Sequence, residues 1–317
     1  MAIKTGILEQ KLGDRKTMLF KDARDYQILF LSTFLFLGIF TRDWTLRLDF
    51  IFVLLLSCLL TQAVLSLLVN FIEAKNSQKE PIYHYQNKFY HFTNLLSIPS
   101  LRSATITALG LCLLLRGNDY KTMAIAGCLA IASKFLFRFR GKHFFNPANF
   151  GIIAALIITN DAWVSPGQWG ADWWYLLLFI GTGGIILKRV GRWDTSIAFL
   201  LAYSSLEAMR NFWLGLDLDV LQHQLMTGSL LLFAFFMITD PRSIPNATTG
   251  RVIWSVSIAI LTFILQHTFY LSTAVFWSLF ILSPLTILLD SIWKQARFSW
   301  QSNRINDFRV RSSALAP

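Results

Sequence analysis

From Phe50 to Ile72 the sequence FIFVLLLSCLLTQAVLSLLVNFI runs without one charged side chain. About 20 apolar residues in helical form cross the hydrocarbon core of a bilayer. A run of this kind excludes most water-soluble folds. Ten apolar segments follow one another along the chain, at about 26–41, 48–72, 100–115, 121–140, 147–160, 172–188, 193–213, 222–239, 252–269 and 271–290. They are continuously apolar rather than alternating, which favours helices over a membrane barrel. Hydrophobic residues make up 54% of the chain and charged residues 15%, against about 25% charged in soluble domains. That balance excludes a disordered protein, a coiled coil and an ordinary cytosolic enzyme. The expected fold is an all-α polytopic membrane protein of about ten transmembrane helices. A single membrane domain, 26–290, lies between an N-terminal lead-in, 1–25, and a basic tail, 291–317.

Lys and Arg number 29 against 18 Asp and Glu, a formal charge of +11. In a soluble protein this would suggest a nucleic-acid partner, so the location of the charges has to decide. Counted over both termini and every even-numbered loop, 24 of the 29 basic residues fall on one side of a ten-helix arrangement. The positive-inside rule then places both termini in the cytoplasm. The expected partner is the lipid bilayer and no nucleic acid, and the expected location is a bacterial inner membrane. Residues 1–25 mix six basic with four acidic side chains ahead of the first apolar run, a retained lead-in rather than a cleaved signal. The longest polar stretch, 73–99, is rich in Tyr and Phe and is expected to lie against the membrane interface.

Cys58, Cys112 and Cys128 sit inside apolar runs with no CxxC spacing. Neither an iron–sulfur cluster nor a zinc site is expected from them; small buried packing residues are. Five histidines give no facing pair within the helices, so no haem is expected. No phosphate-binding loop, dinucleotide fingerprint, hydrolase elbow or HExxH motif is present.

Two polar interruptions stand out as broken or re-entrant segments. The first, 139–151, reads FRGKHFFNPANFG. Pro147 suits the first turn of a helix, Asn146 its cap, and Asn149 the same side one turn on. The free N–H groups and dipole of such a terminus suit an anion or an electron-rich ring, and a simply capped helix start suits the residues as well. The second, 237–251, reads MITDPRSIPNATTGR. An ionisable residue, Asp240, follows an apolar helix directly, which is costly at a bilayer edge unless partnered. Backbone broken by two prolines at that depth must be buried in protein or line a cavity. The alternative is a surface turn in which Asp240 pairs with Arg242 or Arg251. Lys134, Arg138 and Arg140 are expected to snorkel to the surface. Glu207, His223, Gln266, His267 and Asp290 fall near predicted helix ends and are expected to be interfacial. Gly181-Thr-Gly-Gly184 suits close helix packing.

The two polar motifs resemble those of the RnfD/NqrB family, integral membrane components of the Rnf electron transport complex and of the Na+-translocating NADH:quinone reductase. QWGADWWYLLLFIGTGGIILKRVGRWDTSIAFL, SATITALGLCLLL and SPLTILLD fit the same family, and the likeness runs over most of 95–290. The resemblance implies a membrane electron-transfer subunit of ten helices, with other membrane subunits of a redox complex as partners. It implies Asn146, Asn149 and Asp240 as contacts for a non-covalent riboflavin or FMN. Family members also carry a flavin esterified to a Thr in a Ser/Thr-Gly-Ala-Thr motif between the fifth and sixth helices. Here that connection is NDAWVSPGQW, 160–169, without the motif, so no covalent FMN is expected. The chain looks like a short member lacking flavinylation.

Three readings stay open at this point. The chain could be a redox subunit with a non-covalent flavin and coupling to ion transport. It could be a small-solute or ion transporter, since broken helices with polar ends build transport sites. It could be a cofactor-free assembly subunit. No catalytic residue is assigned in any of them.

Overall fold

The computed structural model describes residues 22–41, 46–77, 98–166 and 173–298. The lead-in before residue 22, the centre of the polar stretch at 73–99 and the tail beyond 298 lie outside the described residues. Each expected apolar segment becomes helical. The elements are α1 (Ala23–Thr41), α2 (Leu48–Ser77), α3 (Ile98–Leu114), α4 (Tyr120–Leu136), α5 (Pro147–Ile158), α6 (Trp173–Val190), α7 (Trp193–Trp213), α8 (Leu218–Leu225), α9 (Gly228–Leu232), α10 (Thr248–Thr268), α11 (Ala274–Leu282) and α12 (Leu285–Ile292). Strands among the described residues are two short antiparallel pairs: β1 (Leu115–Arg116) with β4 (Trp163–Val164), and β2 (Arg138–Phe139) with β3 (Lys142–His143).

By length and composition, three helices among the described residues can cross a membrane: α1, α2 over Leu48–Ile72, and α10. Two expected single segments are bent pairs. α8 meets α9 and its continuation at 48°, and α11 meets α12 at 49°; counting each pair as one span gives five. Pro284 accounts for the second bend. Large apolar side chains stay exposed along α1 and α2, among them Phe36, Phe52 and Phe71.

Contacts sort the loops into two ends. At one end Thr41 Oγ1 lies 3.2 Å from the Tyr175 hydroxyl, and β1 pairs with β4. There Asp161 accepts from the Asn118 and Asp119 amides, both at 2.9 Å, and joins the third connection to the fifth. At the other end Arg102 reaches Asp25 (2.7 Å), Arg189 donates to the Tyr26 hydroxyl (3.0 Å), Lys142 pairs with Asp290 (2.7 Å) and Arg251 with Asp194 (2.6 Å). The expected basic loops therefore gather at one end of the bundle.

α7 and α10 run parallel, with Asp194 beside Arg251 at their starts and Glu207 beside His267 near their ends. The chain between them must return along α7, a length of about 32 Å for its 21 residues. The α8–α9 pair makes that return: Phe233 packs on Phe199 at 5.1 Å, and Asn211 caps the turn at Leu216. Close packing elsewhere depends on glycine. A Cβ on Gly151 would meet the Ala126 carbonyl oxygen and Ala130 Cβ, both at 2.7 Å, so α5 and α4 touch backbone to backbone. Within the expected small-residue stretch of α6 only Gly183 is in such contact, against the Phe235 ring; Gly181 and Gly184 face open space.

Candidate functional site

The first interruption folds as a hairpin and a capped helix. β2 and β3 reverse the chain through Arg140 and Gly141, both at positive φ. Asn146 then caps α5: its Oδ1 accepts from the Asn149 amide at 3.1 Å, and Pro147 occupies the first turn. The Asn146 Nδ2 donates to the Met237 carbonyl at 3.0 Å, which ties the cap to the second interruption.

That second interruption begins before its prolines. Phe233–Met237 forms a π-helical turn, closed by the Ile238 amide on the Phe233 carbonyl at 2.9 Å. The wider turn leaves the Ala234 carbonyl out of the helical ladder, and Ser196 Oγ donates to it at 2.5 Å. The run FAFFM carries no polar or glycine signal, so this break could not be read from the sequence. Beyond it Asp240 accepts from the Arg242 amide at 3.2 Å and faces His143 Nε2 at 3.6 Å. Arg251 pairs with Asp194 instead, so of the two partners that the surface-turn alternative offered Asp240, Arg242 is the one beside it.

Between these interruptions lies a cavity of about 580 Å³, reaching to α1, α3 and α6. Asn146 and Asp240 both line it, and Asn149 does not. The Asn149 side chain points toward α11 and donates to the Phe276 carbonyl at 3.1 Å. Among the described residues Asp240 is the single acidic group of the wall, against Arg24, Lys134, Arg138 and Arg242. The expectation that Lys134 snorkels outward is overturned: it is 7% exposed, and its Nζ donates to Ser103 Oγ and O at 3.2 and 3.3 Å. An ammonium so placed has no carboxylate within ion-pair distance among the described residues. Burial pushes His143 down, despite the carboxylate beside it. Burial pushes Asp240 up, but His143 and Arg242 more than offset this and hold it below the usual carboxylate range.

Phe144, Phe145 and Phe150 cluster with Phe137 and Phe280. The aromatic rings of the cavity wall are Phe135, Phe236 and Phe298. Lys142, outside the cavity wall, donates through Nζ to the Ile244 carbonyl at 2.5 Å and to Asp290 at 2.7 Å. Asp290 also accepts from the Asn246 amide at 2.7 Å, so it is a structural tie between the hairpin, the second loop and α12. Glu207, expected at an interface, is 1% exposed.

Residues 159–299, which include the Asp240 loop but not Asn146, match the model of the NQR2, RnfD, RnfE family. The chain resembles this family. Curated relatives share one name, that of the D component of an ion-translocating oxidoreductase complex. The relative from Tolumonas auensis is 28% identical over 127 residues, 39% of this chain and 36% of its own. That of Stutzerimonas stutzeri is 27% identical over 122 residues, 37% and 33%. That of Haemophilus ducreyi is 31% identical over 104 residues, 32% and 30%. The chain spans about a third of the length of the curated relatives it matches.

Proposed function

We propose that this chain is a multi-pass membrane subunit of an ion-translocating oxidoreductase complex, and that its cavity holds a non-covalent flavin. The relatives' shared name supports the first part. The observation that carries the second is the cavity of about 580 Å³ walled by both polar interruptions. Small-molecule sites run at about 300–1,000 Å³, mostly apolar with a few fixed polar groups. The volume falls in that range, and the wall is mixed, with about half of its residues polar or charged. Asp240 and the second amide hydrogen of Asn146 suit the hydrogen-bonding edge or ribityl hydroxyls of a flavin. The Lys134 ammonium, held among the described residues by Ser103, suits its electron-rich carbonyl edge or a phosphate. Asn149 takes a supporting part, fixing α5 against α11. A flavin supplies one- and two-electron transfer; these side chains bind it, orient it and exclude water.

Ten crossings with both termini in the cytoplasm fit the same reading. The basic loops meet at one end, and α7 and α10 are parallel with a bent pair returning between them. Apolar exposure along α1 and α2 fits contact with lipid, and other subunits of the complex are the expected protein partners.

The test is an absorption spectrum of the purified full-length chain. The expected result is a flavin spectrum released by acid, and no covalent adduct by mass spectrometry. Asp240→Ala should lower flavin stoichiometry in folded protein. A colourless wild-type protein would turn the cavity over to the transporter reading.

A further inference from the structure

The seam between α7 and α10 carries a second set of buried polar groups, none of which lines the cavity. On α7 the buried positions Thr195, Ser196, Phe199, Tyr203, Glu207 and Asn211 recur at helical spacing. On α10 Arg251, Ser255, Ile258 and Thr262 do the same. Glu207 Oε1 is 2.8 Å from His267 Nε2; the carboxylate side chain is 0% exposed and the imidazole 15%. The second carboxyl oxygen, Oε2, is buried without a hydrogen-bond partner among the described residues. The same is true of Thr195 Oγ1, Ser255 Oγ and Thr262 Oγ1.

A carboxyl group in an apolar bundle is retained where it is paired or at work. Pairing with His267 explains Oε1. It explains neither Oε2 nor three hydroxyls along the same seam with no protein partner, because buried polar atoms are ordinarily satisfied. Other titratable groups on the elements packed here are Tyr203 and Arg210 on α7, and Asp219 and His223 on α8. Tyr203 donates to Gln266 at 2.8 Å and also lies beside Glu207, one turn along the same face of α7. The remaining charged residue of α10, Arg251, is engaged with Asp194 at the opposite end of the seam. A hard metal cation would need about six oxygen ligands. Glu207 offers one free oxygen beside an imidazole, and no group of metal-binding side chains occurs among the described residues. The ligand that fits is a proton.

We propose that Glu207 and His267 form a proton-exchange site, opening through His267 to the end of the bundle away from the basic loops. Inside, Glu207 faces the hydroxyl-lined seam. The proton moves between His267 Nε2 and Glu207 Oε1; no electron moves, and solvent at His267 supplies and receives it. The site is independent of the cavity, so loss of the flavin reading leaves it intact.

Infrared difference spectra between acidic and alkaline buffer, taken on the full-length chain in detergent, test this. A carboxyl band sensitive to D2O should appear in the wild type and be missing from Glu207→Gln. His267→Gln keeps the carboxyl and a hydrogen-bond donor but cannot relay a proton. In it the band should exchange with D2O more slowly by roughly tenfold or more. Identical difference spectra for wild type and Glu207→Gln would overturn the proposal. So would unchanged exchange in His267→Gln, the result expected of a purely structural pair.

Discussion

Asp240 and His143 share one contact in the cavity wall, and their electrostatics are linked. Unfolded, an aspartate titrates near about 3.9 and a histidine near about 6.5. Both titrate lower in the folded protein. The unfolded chain then binds more protons in both windows, so stability rises with pH. The His143 contribution is complete above about 6.5 and is lost as pH falls through its folded value; the Asp240 contribution is complete above about 3.9 and is lost below that. Thermal unfolding followed by Trp fluorescence should therefore show a lower Tm at pH 5 than at pH 7. His143→Gln should flatten that difference. Asp240→Asn should enlarge it, because burial of the imidazole then goes unopposed. Asn146 is the other residue that joins the two interruptions. Asn146→Ala removes a helix cap and one of the two donors to the Met237 carbonyl, which keeps the Asp240 amide at 3.3 Å; the expected loss is about 1–2 kcal/mol by the same melting measurement.

At the scale of elements, α5 is held by contact without intervening side chains. Gly151→Ala puts a methyl group 2.7 Å from the Ala126 carbonyl oxygen. The backbones must separate, and the expected cost is about 1–3 kcal/mol, read as a fall in Tm. Gly184→Ala, on the open face of α6, is the contrasting case. It should raise helix stability by roughly 0.5–1 kcal/mol with no other effect. The glycines of α6 look alike in sequence, and only their neighbours separate them. The π-helical turn at Phe233–Met237 makes the same point. Its residues are all apolar, and what it does is free one carbonyl for Ser196 and angle another toward Asn146.

For the whole molecule the decisive feature is the sorting of loops into two ends. Single cysteines at Asn118 and Arg140, in a background without Cys58, Cys112 and Cys128, should label from opposite faces of sealed vesicles with a membrane-impermeant reagent. Labelling of both from the same face would break the ten-crossing arrangement. The largest packed pair, α7 with α10, brings together helices separated by the whole α8–α9 return. Lys134 and Glu207 owe their burial to partners at that range: Ser103 for one, His267 for the other.

The sequence by itself determined the helical class, the ten apolar segments, the two polar interruptions and the one-sided distribution of basic loops. Each of these is a local property, set by hydropathy over about 20 residues or by proline, glycine and capping chemistry over a few. It also marked Asn146 and Asp240, whose neighbours in the chain are unusual. Only the tertiary structure decided that these two share a cavity while Asn149 turns away to α11. It alone decided that Lys134 is buried in the wall and that Glu207 meets His267. The reason is physical: the cost of burying a charge depends on which distant groups surround it, and that is fixed by helix packing rather than by neighbours in the chain.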